Sequence, residues 1–246
     1  MKTLTLSLAT IIALLSASCS SLKQNSVTID PQAEQVLRAM SDKLSSAQQF
    51  SFHTSRTIDA SLVLGTNIDE AAQVDMFIIR PNKIRIKTHT QQGNRQLLYD
   101  GKQVIAYNQK RNDYAKEAAP ATIDELIDSV SGDWGVRPPL SDIVVSDPYR
   151  SLTQAGGIVQ YNKSEVLDSV LCDHLKATQA NIDWELWVGQ QDRLPRKLII
   201  TLKNRDGSPK IVSHVSQWKL SPKFPADLFT LEIPKDAKPT SLIRSH

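Results

Sequence analysis

The chain has 246 residues, enough for one large all-β domain or two small ones, and sets 29 Lys and Arg against 26 Asp and Glu for a formal net charge of +3. With no basic block and no Arg-rich helix interleaved with aromatics, that balance argues against nucleic acid as a partner. The two cysteines, Cys19 and Cys172, leave no room for a disulfide framework if either has another use.

Residues 1–18 read as an export signal. Met1-Lys2 is a short basic start, Leu4 to Leu15 is an apolar run broken only by Thr and Ser, and Ser16-Ala17-Ser18 supplies small residues for cleavage. The run is too short for a stable membrane span. The cysteine that follows, Cys19, resembles the lipobox cysteine of bacterial lipoproteins, which is acylated and becomes the first mature residue. Those proteins favour Leu three places before the Cys, where this chain has Ser16 and carries Leu15 one place earlier. The alternative is a plain secreted protein with an incidental cysteine. The resemblance implies palmitate-type acylation at Cys19 and a lipid anchor in the cell envelope. Ser20, in place of the Asp that marks inner-membrane retention, implies the outer membrane, facing the periplasm. Cys172 then has no intramolecular partner and stays a free thiol.

Residues 19–30 are polar and without period, a tether. Asp30-Pro31 is a helix start, and Ala33, Val36, Leu37, Met40 and Leu44 follow at helical spacing, which predicts an amphipathic helix over 31–46. Strands are expected from Phe50 to Ile58, Ser61 to Leu64, Val74 to Arg80 and Lys83 to Thr90. Leu97 to Tyr99, Asp100-Gly101 and Val104 to Tyr107 form a hairpin signal. Thr122 and Glu125 make a capping box for a short helix with Ile123, Leu126, Ile127 and Val130 along one face. Ser141 and Asp147-Pro148 look like starts of further short turns. Strands resume from Gly156, with a last one expected at Thr230 to Ile233. The domain is placed at 31–236, with a loose tail at 237–246.

The most legible stretch is Asn181 to Leu220. Ile182, Trp184, Leu186 and Val188 alternate with Asp183, Glu185 and Trp187, and Leu198, Ile200 and Leu202 share one parity of the next strand. Asp206-Gly207 supplies a turn, and Pro209 sits where a third strand begins. The expectation is a curved wall, apolar on one side. The fold class is α+β: an incomplete antiparallel β-barrel of about ten strands with an N-terminal helix and a short helical lid.

Several of these stretches together resemble a family of uncharacterised, predicted periplasmic proteins. They are Phe50-Ser51-Phe52, Arg80-Pro81, Tyr99-Asp100-Gly101, Thr122-Ile123-Asp124, Asp147-Pro148-Tyr149, Cys172-Asp173-His174-Leu175, Asp183 to Trp187 and Leu194 to Lys197. The resemblance implies a shape similar to the LolA/LolB-type lipoprotein carriers and the lipid-sensing domains of envelope-stress regulators. In those, an incomplete barrel is covered by helices at its open mouth. On that basis the expected partner is a lipid or the acyl chains of another lipoprotein. The pocket would be lined by Trp184, Leu186, Val188, Leu198, Ile200 and Leu202 and covered by Ile123, Leu126, Ile127 and Val130.

Other chemistries are weighed on their residues. Cys172 and His174 lie two apart in a strand and share a face, so they suggest a thiol–imidazole couple or two metal ligands; a half-buried structural position is the alternative. Asp183 and Glu185 also share a face, as solubilising charges do on a wet strand face. Trp134, Trp184, Trp187 and Trp218 suit core packing more than sugar stacking. No H-E-x-x-H, G-x-S-x-G, P-loop or G-x-G-x-x-G occurs. The reading is a non-enzymatic protein without cofactor or metal. The alternatives are a sensor or scaffold with a filled barrel, and a thiol hydrolase using Cys172 and His174.

Overall fold

In the computed structural model the described residues are 26–63, 69–134 and 137–242, with residues 133 and 134 described for their backbone alone. The expected signal segment, Cys19 and the first part of the tether lie outside the described residues, as does the side chain of Trp134.

The chain begins with a three-residue strand, β1 (Val27–Ile29), and enters helix α1 (Pro31–Ser45) at the predicted place. The Asp30 carboxylate accepts the backbone N–H of Gln32 at 2.8 Å and of Ala33 at 3.1 Å, satisfying two donors that the helix itself leaves free. Ala33, Val36, Leu37, Met40 and Leu44 are the buried stripe, as their spacing predicts.

Strands β2 (Gln49–Ile58), β3 (Ala71–Ile79), β4 (Lys83–Thr90), β5 (Gly93–Tyr99), β6 (Gln103–Asn108) and β7 (Asp113–Ala118) follow as an antiparallel meander. One helical turn, α2 (Ala60–Val63), interrupts the connection from β2 to β3. Helices α3 (Ile123–Trp134), α4 (Ser141–Val144) and α5 (Pro148–Thr153) make up the expected insert. The second meander is β8 (Gly157–Leu167), β9 (Val170–Thr178), β10 (Ile182–Gly189), β11 (Pro195–Leu202) and β12 (Lys210–Leu220). A single tight turn at Ala226–Phe229 precedes the last strand, β13 (Lys238–Thr240).

All the strands join one open, curved sheet in the order β1-β8-β9-β10-β11-β12-β2-β3-β4-β5-β6-β7-β13. Antiparallel pairing of β12 with β2 fuses the two meanders, and only the outermost pairs, β1 with β8 and β13 with β7, run parallel. Among the described residues thirteen strands replace the expected ten or so, for local reasons. The three-residue β1 and β13 lie in the segments read as tether and tail. In β7 the sequence Asp-Tyr-Ala-Lys-Glu-Ala has no apolar alternation, so its pairing with β6 rests on backbone groups. Two expected strands are corrected. Of Ser61 to Leu64, the first three residues belong to the helical turn α2 and Leu64 lies outside the described residues, while Thr230 to Ile233 has no regular structure.

One face of the sheet carries the core. Alternate residues of β2, β3, β10 and β11 pack with α1, α4, the start of α3 and Leu152 of α5 in a single apolar cluster. Arg80, between β3 and β4, ties the helices down. Its guanidinium donates to the carbonyls of Leu44 in the last turn of α1 and of Ala47 just beyond it, and to those of Val144 (3.0 Å) and Val145 (2.7 Å) at the end of α4. A cation at two helix C-termini is favourably placed, and the ring of Phe50 lies 4.8 Å beneath it. Burial pushes the Arg80 pKa down to about 10. Among the described residues no helix is long and apolar enough to cross a membrane.

Candidate functional site

The predicted wall assembles in register. Trp184 pairs with Ile200, Leu186 with Leu198 and Ile182 with Leu202, while a bulge after Trp187 sets Val188 opposite Pro195. The hairpin turn of β11 and β12 uses Gly207 at φ +76°, a conformation open to glycine without strain. Trp184, Leu186, Val188, Leu198, Ile200 and Leu202 all face the core, and none is more than 8% exposed. The same face continues through Ile211 and Val215 of β12 to Ile58 and Phe52 of β2.

Helix α3, which carries the residues expected to form a lid, is held by the reciprocal bonds the sequence predicts. Glu125 N–H donates to the Thr122 hydroxyl at 3.2 Å, and Thr122 N–H to the Glu125 carboxylate at 3.1 Å. Ile123 N–H donates to the Pro81 carbonyl at 2.8 Å, and the Tyr99 hydroxyl to that of Pro120 at 2.7 Å. Asp124 accepts the backbone N–H of Ser146 at 2.9 Å and its hydroxyl. Ile123 and Ile127 are buried in the core cluster and Leu126 packs against it, while Val130 is only half-buried and lies outside it. These anchors hold the start of α3 beside β3 to β6, whereas the wall belongs to β10 and β11, across β12 and β2 in the sheet. The elements tied to the wall's own half are α1, which packs on β8 and α5, and α5, whose Leu152 carbonyl accepts from Gln179 Nε2 at 3.0 Å. Sequence reasoning named the helix of residues 31–46 but did not join it to the wall, with which its apolar stripe shares one core cluster.

Cys172 and His174 share the opposite, outer face with Trp187, and no hydrogen bond joins thiol to imidazole. The Cys172 thiol is buried and donates to the Val170 carbonyl at 3.4 Å; burial pushes its pKa up, away from the thiolate a nucleophile needs. His174 Nε2 lies 2.9 Å from Glu185 Oε2, and Nδ1 lies 3.0 Å from Asn162 Nδ2 and 3.1 Å from Glu165 Oε1. Burial lowers the pKa of the imidazole and outweighs the two carboxylates, which act to raise it. Among the described residues no group of three His, Cys, Asp or Glu is placed to hold a metal ion.

Asp183, Glu185, Trp187 and Trp218 have partners of their own, whereas the buried indole N–H of Trp184 has none among the described residues. Asp183 pairs with Lys203 at 2.8 Å, and Glu185 also meets Lys176 at 3.3 Å. Trp187 Nε1 donates to Glu165 at 2.7 Å, and Trp218 Nε1 to the Pro195 carbonyl at 2.9 Å with its ring 4.6 Å from that of Phe52. Such rings are packing elements rather than open stacking platforms.

No curated protein matches the chain. Among solved structures, an uncharacterized conserved protein from Thermus thermophilus is similar over 86% of this chain and 99% of its own, at 12% identity and a TM-score of 0.51. The Mycobacterium tuberculosis lipoprotein LppX matches over 79% of this chain and 98% of its own, at 15% identity and a TM-score of 0.48. A LolA superfamily protein from Nitrosomonas europaea matches over 81% and 97%, at 12% identity and a TM-score of 0.38. The likeness to the Thermus protein is one of fold. Residues 33–243 match the family described as predicted periplasmic protein (DUF2092), and the chain belongs to that family.

Proposed function

We propose that this chain is a lipid-anchored envelope protein, not an enzyme, that takes an apolar ligand on the inner face of a half-barrel and serves as a carrier. The ligand is a lipid or the acyl chains of another lipoprotein. Anchorage is through an acylated Cys19, on the outer membrane and facing the periplasm. One observation carries the reading: six apolar side chains of β10 and β11 share one face in register, and that face runs on across β12 and β2. A monomer rarely leaves an apolar patch beyond a few hundred Å² uncovered. An acyl chain lying on such a wall gains roughly 0.8 kcal/mol per buried CH₂, so ~10 methylenes give ~8 kcal/mol before ordering costs. That supports micromolar binding with no polar recognition.

A second reading, a sensor or scaffold with a filled barrel, is favoured by the burial of the same six residues, already covered by protein atoms. Under the carrier reading α1 and α5 must shift to admit a ligand. Native mass spectrometry of the full chain, extracted from its own envelope, distinguishes the two. A co-purifying lipid is expected, with Ile200→Glu folded by circular dichroism but empty. A lipid-free chain that takes up no acyl probe at tens of micromolar establishes the scaffold.

A further inference from the structure

The inner face is not apolar throughout. Thr54 and Arg56 of β2 have the parity of Phe50, Phe52 and Ile58, all core residues, and so point inward. Register carries one inward row from Val215 through Thr54, Val74 and Thr88 to Arg95 on β5. A second runs from Arg56 through Ser213 and Leu198 to Leu186. A polar belt therefore crosses the face beside the predicted wall. Leu186 lies three strand spacings from Arg56, about 14 Å.

The belt is incompletely satisfied. Arg95 pairs with the buried Asp69 carboxylate at 2.9 Å. Among the described residues Arg56 has only a long bond, 3.4 Å from Nη2 to the Asp69 backbone carbonyl, and its buried Nε has no hydrogen-bond partner. Thr54 is 2% exposed, and its buried hydroxyl oxygen has no partner among those residues either. The charges acting on Arg56 are Asp69 in its favour and Arg95 against it. Asp59, nearby in sequence, is engaged by the backbone and hydroxyl of Ser61. Two guanidiniums thus stand near one carboxylate, which pairs with Arg95 alone and whose oxygens make no hydrogen bond among the described residues. Buried polar groups in native proteins nearly always find a partner, and a guanidinium cannot shed its proton to escape the cost. Water can accept from Arg56 and donate to Thr54, but it cannot balance the surplus positive charge. A single anionic group accepts from Arg56 and from the Thr54 hydroxyl and balances the charge as well.

We infer that Arg56, Arg95 and Thr54 form a head-group subsite for an amphiphile with one anionic group, a carboxylate or a phosphate, whose chains lie along the β10–β11 wall. This rests on the carrier reading and names its ligand class. Arg56 supplies a planar, charge-assisted donor pair, Thr54 a hydroxyl beside it, and Asp69 holds Arg95 in place while leaving the belt one charge in excess.

The test uses the full chain in a neutral detergent and three probes of known chemistry: ionised palmitate, uncharged hexadecanol and inorganic phosphate. Palmitate is expected to bind about tenfold tighter than hexadecanol. Arg56→Gln should abolish that preference while leaving hexadecanol within about twofold, and Arg56→Lys should restore part of it. Should Arg56→Gln fail to fold, Thr54→Val carries the test. It keeps the side-chain shape, and a selective loss of about threefold for palmitate supports the subsite. Phosphate alone is expected not to bind at millimolar concentration. If it does, and displaces palmitate but not hexadecanol, the belt is a free-anion site and the head-group assignment is overturned. Equal affinity for palmitate and hexadecanol overturns the subsite and leaves the carrier reading standing. Binding of neither overturns both.

Discussion

The imidazole of His174 lies flat on the indole of Trp187, ring centroids 3.9 Å apart and planes 14° from parallel. Stacking and burial remove water from the ring, and the folded state favours its neutral form. His53 has the opposite disposition, because its bond to Asp75 raises its pKa. The lowered pKa of His174 means that the unfolded chain takes up its proton first, so its contribution is fully present above about pH 6.5 and declines as pH falls below that value. The raised pKa of His53 gives stability that is present below about pH 6.5 and is lost as pH rises through the folded value. Thermal melts between about pH 5 and 8 should therefore show His174→Gln less acid-sensitive than the parent and His53→Gln more so. Parallel profiles for the two variants contradict the assignment.

Cys172 is expected to resist thiol reagents in the folded protein. Its sulfur is buried and its pKa is raised by that burial. Peptide mapping after alkylation should find Cys172 modified only once denaturant is added. Cys172→Ala should remain folded at a cost of about 1 kcal/mol and keep whatever acyl-probe binding the parent has. Loss of binding in a folded Cys172→Ala would return the thiol to consideration as a working group.

Arg80 joins the ends of α1 and α4 to the sheet. Arg80→Met keeps most of the apolar stem but removes every bond to the carbonyls of Leu44, Ala47, Val144 and Val145. A loss of about 3 kcal/mol is expected from chemical denaturation, with faster hydrogen exchange confined to the two helices. A change below about 0.5 kcal/mol would show that the helices hold by apolar packing alone.

Mass analysis of the mature protein should find its first residue to be an acylated Cys19. Cys19→Ala should be released from membranes by washing that leaves the parent bound. An unmodified N-terminus at another residue, or unchanged membrane association in Cys19→Ala, removes the anchor from the proposal.

Local rules made much of this fold readable. Asp30-Pro31, Thr122 with Glu125, and Asp100-Gly101 each act within a few residues, and each forms the bonds its residue types demand. The wall was readable because its alternation is long. The strands β1, β7 and β13 were not, since their partners lie far along the chain or their side chains carry no period. The belt was hidden for a different reason. Taken singly, Thr54, Arg56 and Arg95 look like wet-face residues. The usable signal was parity: a charge two residues from Ile58 and four from Phe52, on a strand whose inward positions are otherwise apolar or hydroxyl-bearing, stands on the core side.

The two three-residue strands at the ends of the described chain also bear on self-association. An open sheet offers bare N–H and C=O rows at its borders, which other chains can extend into fibres. Here β13 covers Asp113 to Ala115 of β7 with Lys-Pro-Thr, a segment with a positive charge and with a proline that has no N–H to donate. At the opposite border β1 shields Gly157 to Val159 of β8, and its strand leads straight into Asp30 and α1, so it cannot leave without disturbing the helix cap. The chain thus uses its own ends to blunt both borders of the sheet. Trimming either end should promote aggregation before it unfolds the core.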